Sequence, residues 1–402
     1  MTIWLLALVL LASLAGLGYR QGAIRVGVSL IGILVGAGLA IPLGKLIRPL
    51  FVTLWIKDPL LAWVLPPVVV FIIISMLFKA GAAILHQKVD VHYKYRAGDL
   101  RLILWERLNH RLGLCLGLLN ATAYLVLISF IIYAFSYWTV QMSTAEKDPT
   151  TIKILNRMGQ DLQATGFHKV ARSIDRMPPH FYGMADVAGL IYHNSLLEAR
   201  LSAYPGFFAL AELPEFKNLA GDTQFLQMRQ GGEPMFALLN HPTLQGMIRN
   251  PELLNTIWST VLPNLEDLRS YLETGKSAKY DPEVLLGRWR FNINAALGFT
   301  RMAKPDMPST EMRKIRRWVT GAYERATIVA MPGQRIIMKN MPPLGIAVGA
   351  AATPQNIEGK WTSLDGGRYN LSISNLELTA KVEKERMTIT GGNVVFVFNR
   401  TE

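Results

Sequence analysis

The chain has 402 residues, of which 50% are hydrophobic and 18% are charged, so it is too apolar for an ordinary soluble protein and too charged for a pure transporter. Lys and Arg outnumber Asp and Glu by 12 to 4 in residues 1–140 and by 30 to 25 in residues 141–402, so most of the basic excess lies in the apolar first third. This distribution is typical of loops between membrane spans and argues against a nucleic-acid partner, while the single cysteine, Cys115, excludes an intrachain disulfide and a cysteine-based metal site.

Four apolar segments in the first third are almost free of charge. They predict membrane-spanning helices, because a bilayer core requires about 20 apolar residues in a helix. These spans are residues 3–18, 26–44, 60–78 and 112–135. Span 1 is the shortest, and Ser13-Leu14-Ala15 before Gly16 is typical of a signal-peptidase site. The lack of a basic segment before span 1 favours an uncleaved helix over a signal peptide.

Positive charge is concentrated in the first and third loops between these spans. The basic residues of these two loops are Arg20, Arg25, Lys88, Lys94, Arg96, Arg101, Arg107 and Arg111. Because basic loops stay in the cytoplasm, both termini are predicted to lie outside it. In the inner membrane of a Gram-negative bacterium, the long C-terminal region would then be periplasmic.

Small residues recur at every fourth position in spans 2 and 4. We name these two sets the glycine stripes: Gly32, Gly36, Ala40 and Gly44 in span 2, and Gly113, Gly117 and Ala121 in span 4. A flat stripe of this kind favours close packing against another helix, although glycine is also common in membrane helices generally. The packing partner lies either in the same chain or in a second copy, so self-association is one predicted interaction.

Few polar side chains lie within the spans. Asn120 lies about two turns into span 4, and Lys79 follows span 3, where its stem can extend to the interface. No row of carboxylates or arginines marks a path for ions. This pattern favours a membrane anchor, with a small transporter or channel carrying accessory domains as the alternative.

Two motifs border spans 2 and 4. Residues 18–22 (GYRQG) lead into span 2, and residues 111–119 (RLGLCLGLL) open span 4 after a basic loop. Together they resemble the four-span domain of the colicin V production protein (CvpA) family. The sequence departs from the family at Val26-Gly27, where an acidic residue is frequent, and at Asn120-Ala121, where a basic residue followed by glycine is frequent.

The resemblance implies a non-catalytic role in the bacterial envelope, in colicin V production and export or in membrane homeostasis. It also implies a four-span anchor of the kind that other members of the family fuse to outward-facing domains. It covers about 140 residues and brings no enzymatic residue with it.

Residues 141–278 follow the spans and predict short amphipathic helices separated by Pro and Gly. His241-Pro242 and Asn250-Pro251 each open such a helix, and Asn250 is suited to cap it. The tandem units resemble STI1-type modules of co-chaperones, which implies a protein or peptide partner. The alternative is a helical spacer.

Residues 281–402 predict an α+β module. Gly287-Arg288-Trp289 lies in a short run, residues 287–294 (GRWRFNIN), that predicts a strand, and Ser309 then opens a basic amphipathic helix. Arg313, Lys314, Arg316 and Arg317 share its polar face, which predicts contact with anionic lipid or, alternatively, a solvated face.

Alternating segments with turns at Pro332-Gly333, Asp365-Gly366-Gly367 and Gly391-Gly392 follow this helix. They predict six or seven antiparallel strands. Gly359 and Trp361 form a strand-opening Gly-x-Trp that resembles lipocalin-like barrels, which implies an apolar ligand or, alternatively, a structural cap. The expected form is an antiparallel sheet or half-barrel.

Catalytic motifs are missing from the sequence. Gly275-Lys276-Ser277 resembles the end of a phosphate-binding loop, but Ser270 occupies the position of its first glycine and no strand precedes it. His86, Asp90 and His92 lie in a loop with an evident topological role. We therefore expect no enzyme activity, no cofactor and no metal. The predicted organisation is a membrane domain at 1–140, a helical outward-facing region at 141–278 and the α+β module at 281–402.

Overall fold

A computed structural model of the chain describes residues 2–54, 59–96, 99–144, 146–175, 177–342, 353–364, 366–374, 376–391 and 394–401. They form two compact units. Unit 1 comprises Met1–Gly189 and Thr223–Leu254, and unit 2 comprises Leu190–Asp222 and Asn255–Glu402. The predicted middle region, residues 141–278, contributes helices to both units.

Unit 1 begins with four long apolar helices: α1 (Thr2–Gln21), α2 (Ala23–Leu54), α3 (Pro59–Arg96) and α4 (Asp99–Gln141). Within the described residues, four helices have the length and composition to cross a membrane, which confirms that the four predicted segments are long apolar helices. With 38 and 43 residues, α3 and α4 extend to about 57 and 65 Å, well beyond the roughly 30 Å of a hydrocarbon core. Most of the basic third loop is therefore helical.

The first helix after the spans, α5 (Thr150–Thr165), packs against α1 and α4. Leu162 forms a buried cluster with Ile3 of α1 and Ile132 of α4. The backbone nitrogen of Thr2 donates to the Asp161 carboxylate over 2.7 Å. An uncleaved first span would keep both contacts.

The remaining middle helices are short: α6 (Phe167–Ser173), α7 (Pro179–His193), α8 (Leu196–Ala203), α9 (Phe208–Ala211), α10 (Pro214–Gly221), α11 (Thr223–Gln230), α12 (Met235–Leu239), α13 (Pro242–Ile248), α14 (Pro251–Val261) and α15 (Leu265–Thr274). As the Asn-Pro pair predicts, Asn250 caps α14. Its Oδ1 accepts hydrogen bonds from the backbone nitrogens of Glu252 and Leu253, at 3.1 and 3.2 Å.

The described C-terminal residues of unit 2 form eight strands and two helices: β1 (Gly287–Phe291), α16 (Ile293–Ala303), α17 (Ser309–Tyr323), β2 (Thr327–Met331), β3 (Arg335–Met341), β4 (Gln355–Leu364), β5 (Arg368–Ile373), β6 (Leu376–Glu383), β7 (Arg386–Gly391) and β8 (Val394–Thr401). Each strand pairs with the next in an antiparallel arrangement, and β8 pairs with β1. The sheet is a closed barrel.

The predicted antiparallel pairing is confirmed, but the predicted open form, a sheet or half-barrel of six or seven strands, is wrong. The missing element is the pairing of β1 with both β2 and β8, in which Arg288 lies opposite Val329 on one side and Thr401 on the other. Two helices separate β1 from β2, so no local hairpin signal indicates this pairing. Closure satisfies the backbone groups that an open edge would leave exposed.

Buried and exposed side chains alternate along the barrel strands, as the two-residue period of a strand requires. On β1, Trp289 and Phe291 are buried and Arg290 is exposed. Leu371 of β5 and Phe398 of β8 are fully buried. A barrel of eight strands is just wide enough for such side chains to fill it. They form the core of unit 2.

Helix α17 packs one face against this core. Ile315, Val319 and Tyr323 are buried on that face, as its apolar spacing predicts. The Tyr323 ring lies 5.4 Å from the ring of Phe291 and 5.1 Å from that of Phe396. Burial raises the pKa of Tyr323 to about 12.

This burial predicts a loss of stability at high pH. The unfolded chain releases the Tyr323 proton near its ordinary pKa of about 10, whereas the folded chain keeps it. The free energy of unfolding should therefore fall by about 2 kcal/mol as the pH rises from about 10 to 12. Thermal melting of the full chain between these values should show a smaller loss for Tyr323→Phe than for the natural chain. Equal losses would contradict the assignment, and substitution of the exposed Tyr95 is the control.

Candidate functional site: glycine contacts, a basic helix and the closed end of the barrel

The glycine stripe of α2 faces α3. A Cβ atom added to Gly32 would lie 2.5 Å from Cβ of Phe78, and one added to Gly44 would lie 2.8 Å from the backbone nitrogen of Pro67. At Gly36 the nearest atom, in the Phe71 ring, is 3.1 Å away. Ala40, in the same stripe, is half-buried. This stripe therefore permits close contact between two helices of one chain.

The stripe of α4 faces α1. A Cβ atom at Gly113 would collide with the carbonyl oxygen of Gly18, and one at Gly117 with that of Leu14. Ala121, the third member, is completely buried. Backbone carbonyls cannot rotate away as side chains can, so this contact tolerates no larger residue. A second copy as an additional partner stays a prediction.

The sequence patterns did not indicate Asn109, although this residue of α4 binds the turn between α1 and α2. It is buried in α4, three residues before span 4, and its Oδ1 accepts from the backbone nitrogen of Ala23 over 2.7 Å. Gly22 has a φ of 82° there, and a Cβ at Gly22 would collide with the Asn109 amide. The signal in the sequence is the second glycine of the GYRQG motif, which permits the left-handed turn between α1 and α2.

The two predicted polar residues of the spans have different environments. Asn120 is buried, and its Nδ2 donates to the Val26 carbonyl of α2 over 3.4 Å. Lys79 is exposed on α3. Asn120 therefore links α4 to α2.

The four basic residues of α17 lie together on its exposed face. Arg313, Lys314, Arg316 and Arg317 are all exposed. Within the described residues, none of them forms an ion pair or a hydrogen bond. Their charge is therefore open to water or to an anionic surface.

Gly359 and Trp361 lie within β4, where Gly359 is the fifth residue of the strand. A Cβ at Gly359 would lie 2.6 Å from the Ser372 carbonyl oxygen, so the glycine permits close approach of β5. Trp361 is buried, and its Nε1 donates to the Met331 carbonyl over 3.0 Å. Both residues have a structural place in the barrel wall.

A second Gly-x-Trp, at Gly287-Arg288-Trp289, opens β1. We name this end of the barrel the closed end, because the Trp289 ring and the Arg400 guanidinium stack there. Trp289 is fully buried, and its Nε1 donates to the Leu285 carbonyl over 2.8 Å. The Arg400 guanidinium of β8 stacks over the Trp289 ring, with 4.7 Å between Cζ and the ring centre. The tripeptide is visible in the sequence, but its arginine partner is 111 positions away and carries no signal of its own.

Arg400 also anchors the segment before β1. Its guanidinium donates to the carbonyls of Leu286, over 2.9 Å, and Val284, over 2.5 Å. Burial lowers the pKa of Arg400, but an arginine keeps its charge in proteins. One cation therefore binds the last strand, the first strand and the turn before it.

A polar cluster around Asp267 joins α15 to the following loop. Its carboxylate accepts from the Tyr204 hydroxyl at 2.8 Å, the Ser277 hydroxyl at 2.6 Å and the Lys279 backbone nitrogen at 3.1 Å. Burial alone would raise the pKa of Asp267, but the hydrogen bonds from Ser277 and Tyr204 outweigh it and the pKa is lowered. All of these donors already bind the carboxylate, so the cluster is suited to holding the loop.

A cleft of about 520 Å³ lies beside the closed end of the barrel in unit 2. Its lining includes the aromatic side chains of Phe208, Tyr271 and Tyr280. Three arginines also line it: Arg200, Arg288 and Arg400. This volume is in the range of small-molecule sites. No group of three or more His, Cys, Asp or Glu residues that could hold a metal occurs among the described residues.

The contact of α4 with α1 predicts that Gly117→Leu destabilises unit 1. The added side chain would force the two backbones apart, at a cost of roughly 1 to 3 kcal/mol. Thermal unfolding of the full chain in detergent measures the effect. Gly38→Leu is the matched control, because a Cβ at Gly38 has no neighbour within 4 Å. Equal melting temperatures for the two variants would contradict the packing.

The anchoring role of Arg400 predicts a loss of stability in Arg400→Leu. This change removes the stacking on Trp289 and leaves two carbonyls without their donors, which together should cost about 2 to 4 kcal/mol. Thermal melting followed by circular dichroism tests the expectation. Arg290→Leu removes the same charge from an exposed position of β1 and should have little effect.

Known proteins offer no further guide to this arrangement, because no protein-family model, no curated protein and no solved structure matches the chain significantly.

Proposed function

We propose that this chain is a non-catalytic inner-membrane protein of CvpA type. Its four spans anchor a binding or scaffolding region that acts outside the cytoplasm, in envelope homeostasis or in colicin V-like production and export. The observation that carries the proposal is the combination of four apolar helices with a closed barrel in one chain. Anchoring explains the first element, and a rigid barrel suits the presentation of a binding surface.

The hydrogen bonds of unit 2 support a non-catalytic role. Asp267 holds a loop, and the Glu283 carboxylate accepts from the Tyr369 hydroxyl of the barrel wall. Ser277, the one serine bonded to a carboxylate in this cluster, is completely buried. A nucleophile must reach its substrate and needs a base beside it, and this serine has neither access nor a histidine partner.

Anionic lipid is the first partner that we propose for this region. The exposed basic face of α17 supports it, because the spans would hold this face at high effective concentration near the membrane. A protein or peptide partner, and self-association through the glycine stripes, are further proposals that rest on sequence patterns.

Fusions to alkaline phosphatase test the proposed topology. Because this enzyme is active only outside the cytoplasm, a fusion after Thr401 should be active, whereas a fusion after Arg96, in the basic loop, should be inactive. A cytoplasmic fluorescent reporter at the same sites should give the opposite pattern. The reverse result at both sites would contradict the orientation.

A turnover assay tests the non-catalytic role separately. If the purified full chain turned over a substrate reproducibly and Asp267→Asn abolished that turnover, the non-catalytic role would be contradicted.

A further inference from the structure

We infer that the cleft beside the closed end of the barrel binds an organic anion with an apolar arm, such as a fatty-acid carboxylate or an alkyl phosphate. The inference rests on the proposed role of unit 2 as a binding module and assigns the site and the ligand class. The cleft, of about 520 Å³, is lined by the start of β1, the end of β8 and the segment before β1, and its lining includes Arg288 and Arg400.

Arg288 supplies the positive charge for this site. It lies on the outer face of β1, and its guanidinium stacks over the Phe208 ring, with 5.3 Å between Cζ and the ring centre. Arg288 is partly buried, and within the described residues it forms no side-chain hydrogen bond and no ion pair. The aromatic ring covers one face of the guanidinium, and Arg288 lines the cleft, so its uncommitted donors are available to a ligand there. A planar donor fork matches a carboxylate or a phosphate.

The other arginines of the cleft are already committed to the fold. Arg400 donates to the carbonyls of Leu286 and Val284. Arg200 donates to the Leu272 carbonyl over 2.8 Å. Both keep their charge, so they add to the positive potential around Arg288 without competing for the ligand's hydrogen bonds.

Within the described residues, neither acidic group of the cleft forms an ion pair with Arg288. The Asp281 carboxylate accepts from the Ser277 backbone nitrogen over 3.0 Å, and Glu283 accepts from the Tyr369 hydroxyl. Three arginines face two carboxylates, which favours an anion. The Tyr271 hydroxyl has no hydrogen bond in the described part of the chain, and burial raises its pKa, so it can donate at neutral pH.

An apolar wall accompanies these donors. Pro205 and Val284 line the cleft with accessible apolar surface, Val284 being 41% exposed, and the buried side chains of Phe208 and Leu286 lie behind them. Burial of an alkyl arm against this wall would add roughly 25 cal/mol for each Å² removed from water. The site therefore fits a ligand with one anionic end and one apolar end.

Equilibrium dialysis with the full chain in nanodiscs of zwitterionic lipid tests the inference, with empty nanodiscs as the baseline. Octanoate and octyl phosphate are the probes that carry both features. Octanol lacks the charge and inorganic phosphate lacks the arm, so both should bind at least tenfold more weakly. Equal binding of octanol and octanoate would overturn the role of Arg288.

Two substitutions on one face of one strand sharpen the test. Arg288→Met keeps an unbranched stem over Phe208 but removes the charge, and should raise the Kd for octanoate at least tenfold. Arg290→Met removes the same charge from an exposed position two residues away and should change the Kd less than twofold. Arg288→Lys should retain intermediate binding, and equal melting temperatures exclude misfolding as the cause.

Failure of this inference is distinguishable from failure of the proposed function. If octanoate binds Arg288→Met and Arg290→Met with the same Kd, the assigned site is wrong. If neither octanoate nor octyl phosphate binds the natural chain, the ligand class is wrong. Neither result bears on the reporter fusions, which test the membrane topology independently.

Discussion

The pairing of β8 with β1 is the constraint on which unit 2 depends. A strand edge with free N–H and C=O groups must pair or be covered, and in this chain the first and last strands meet that requirement together. Arg400, a residue of β8, stabilises this pairing, because it stacks on Trp289 of β1 and donates to the Leu286 and Val284 carbonyls before β1. The same junction positions Arg288 on the outer face of β1, so the proposed binding site depends on closure of the barrel.

In unit 1 the corresponding constraint is the close approach of backbones. Without water to drive association, membrane helices pack through contact area, and glycine provides it by the absence of a side chain. The collisions that a Cβ would make at Gly113 and Gly117 indicate how close α1 and α4 lie. Asn109 adds a hydrogen bond where the chain turns from α1 to α2. Polar groups in this unit thus satisfy backbone donors and acceptors at helix ends and crossings.

Local patterns in the sequence predicted the local structure well. The length of the apolar segments predicted the four long helices, and the spacing of apolar residues predicted the buried face of α17. The Asn250-Pro251 pair predicted the cap of α14. Closure of the barrel and the partnership of Arg400 with Trp289 join residues more than 100 positions apart, and neither hydropathy nor turn residues encode such distant pairs. The second Gly-x-Trp, at Gly287, was readable, but its meaning depends on the strand that lies beside it. The sequence carried no signal for a binding role of Arg288, because nothing in the sequence distinguishes it from the other 41 basic residues. Only the fold places it against the Phe208 ring and the cleft.

The order of the strands along the chain has a consequence for biogenesis. Thr401 of β8 bonds to the backbone of Arg288, 113 residues earlier, so the sheet cannot close until the last strand has left the ribosome or the translocation channel. Until then β1 presents Trp289 and Phe291 without their cover, and such apolar strands are prone to associate with other chains. The barrel would therefore close only once β8 has been synthesised. A chaperone that shields β1 in this interval would have the greatest effect on its yield.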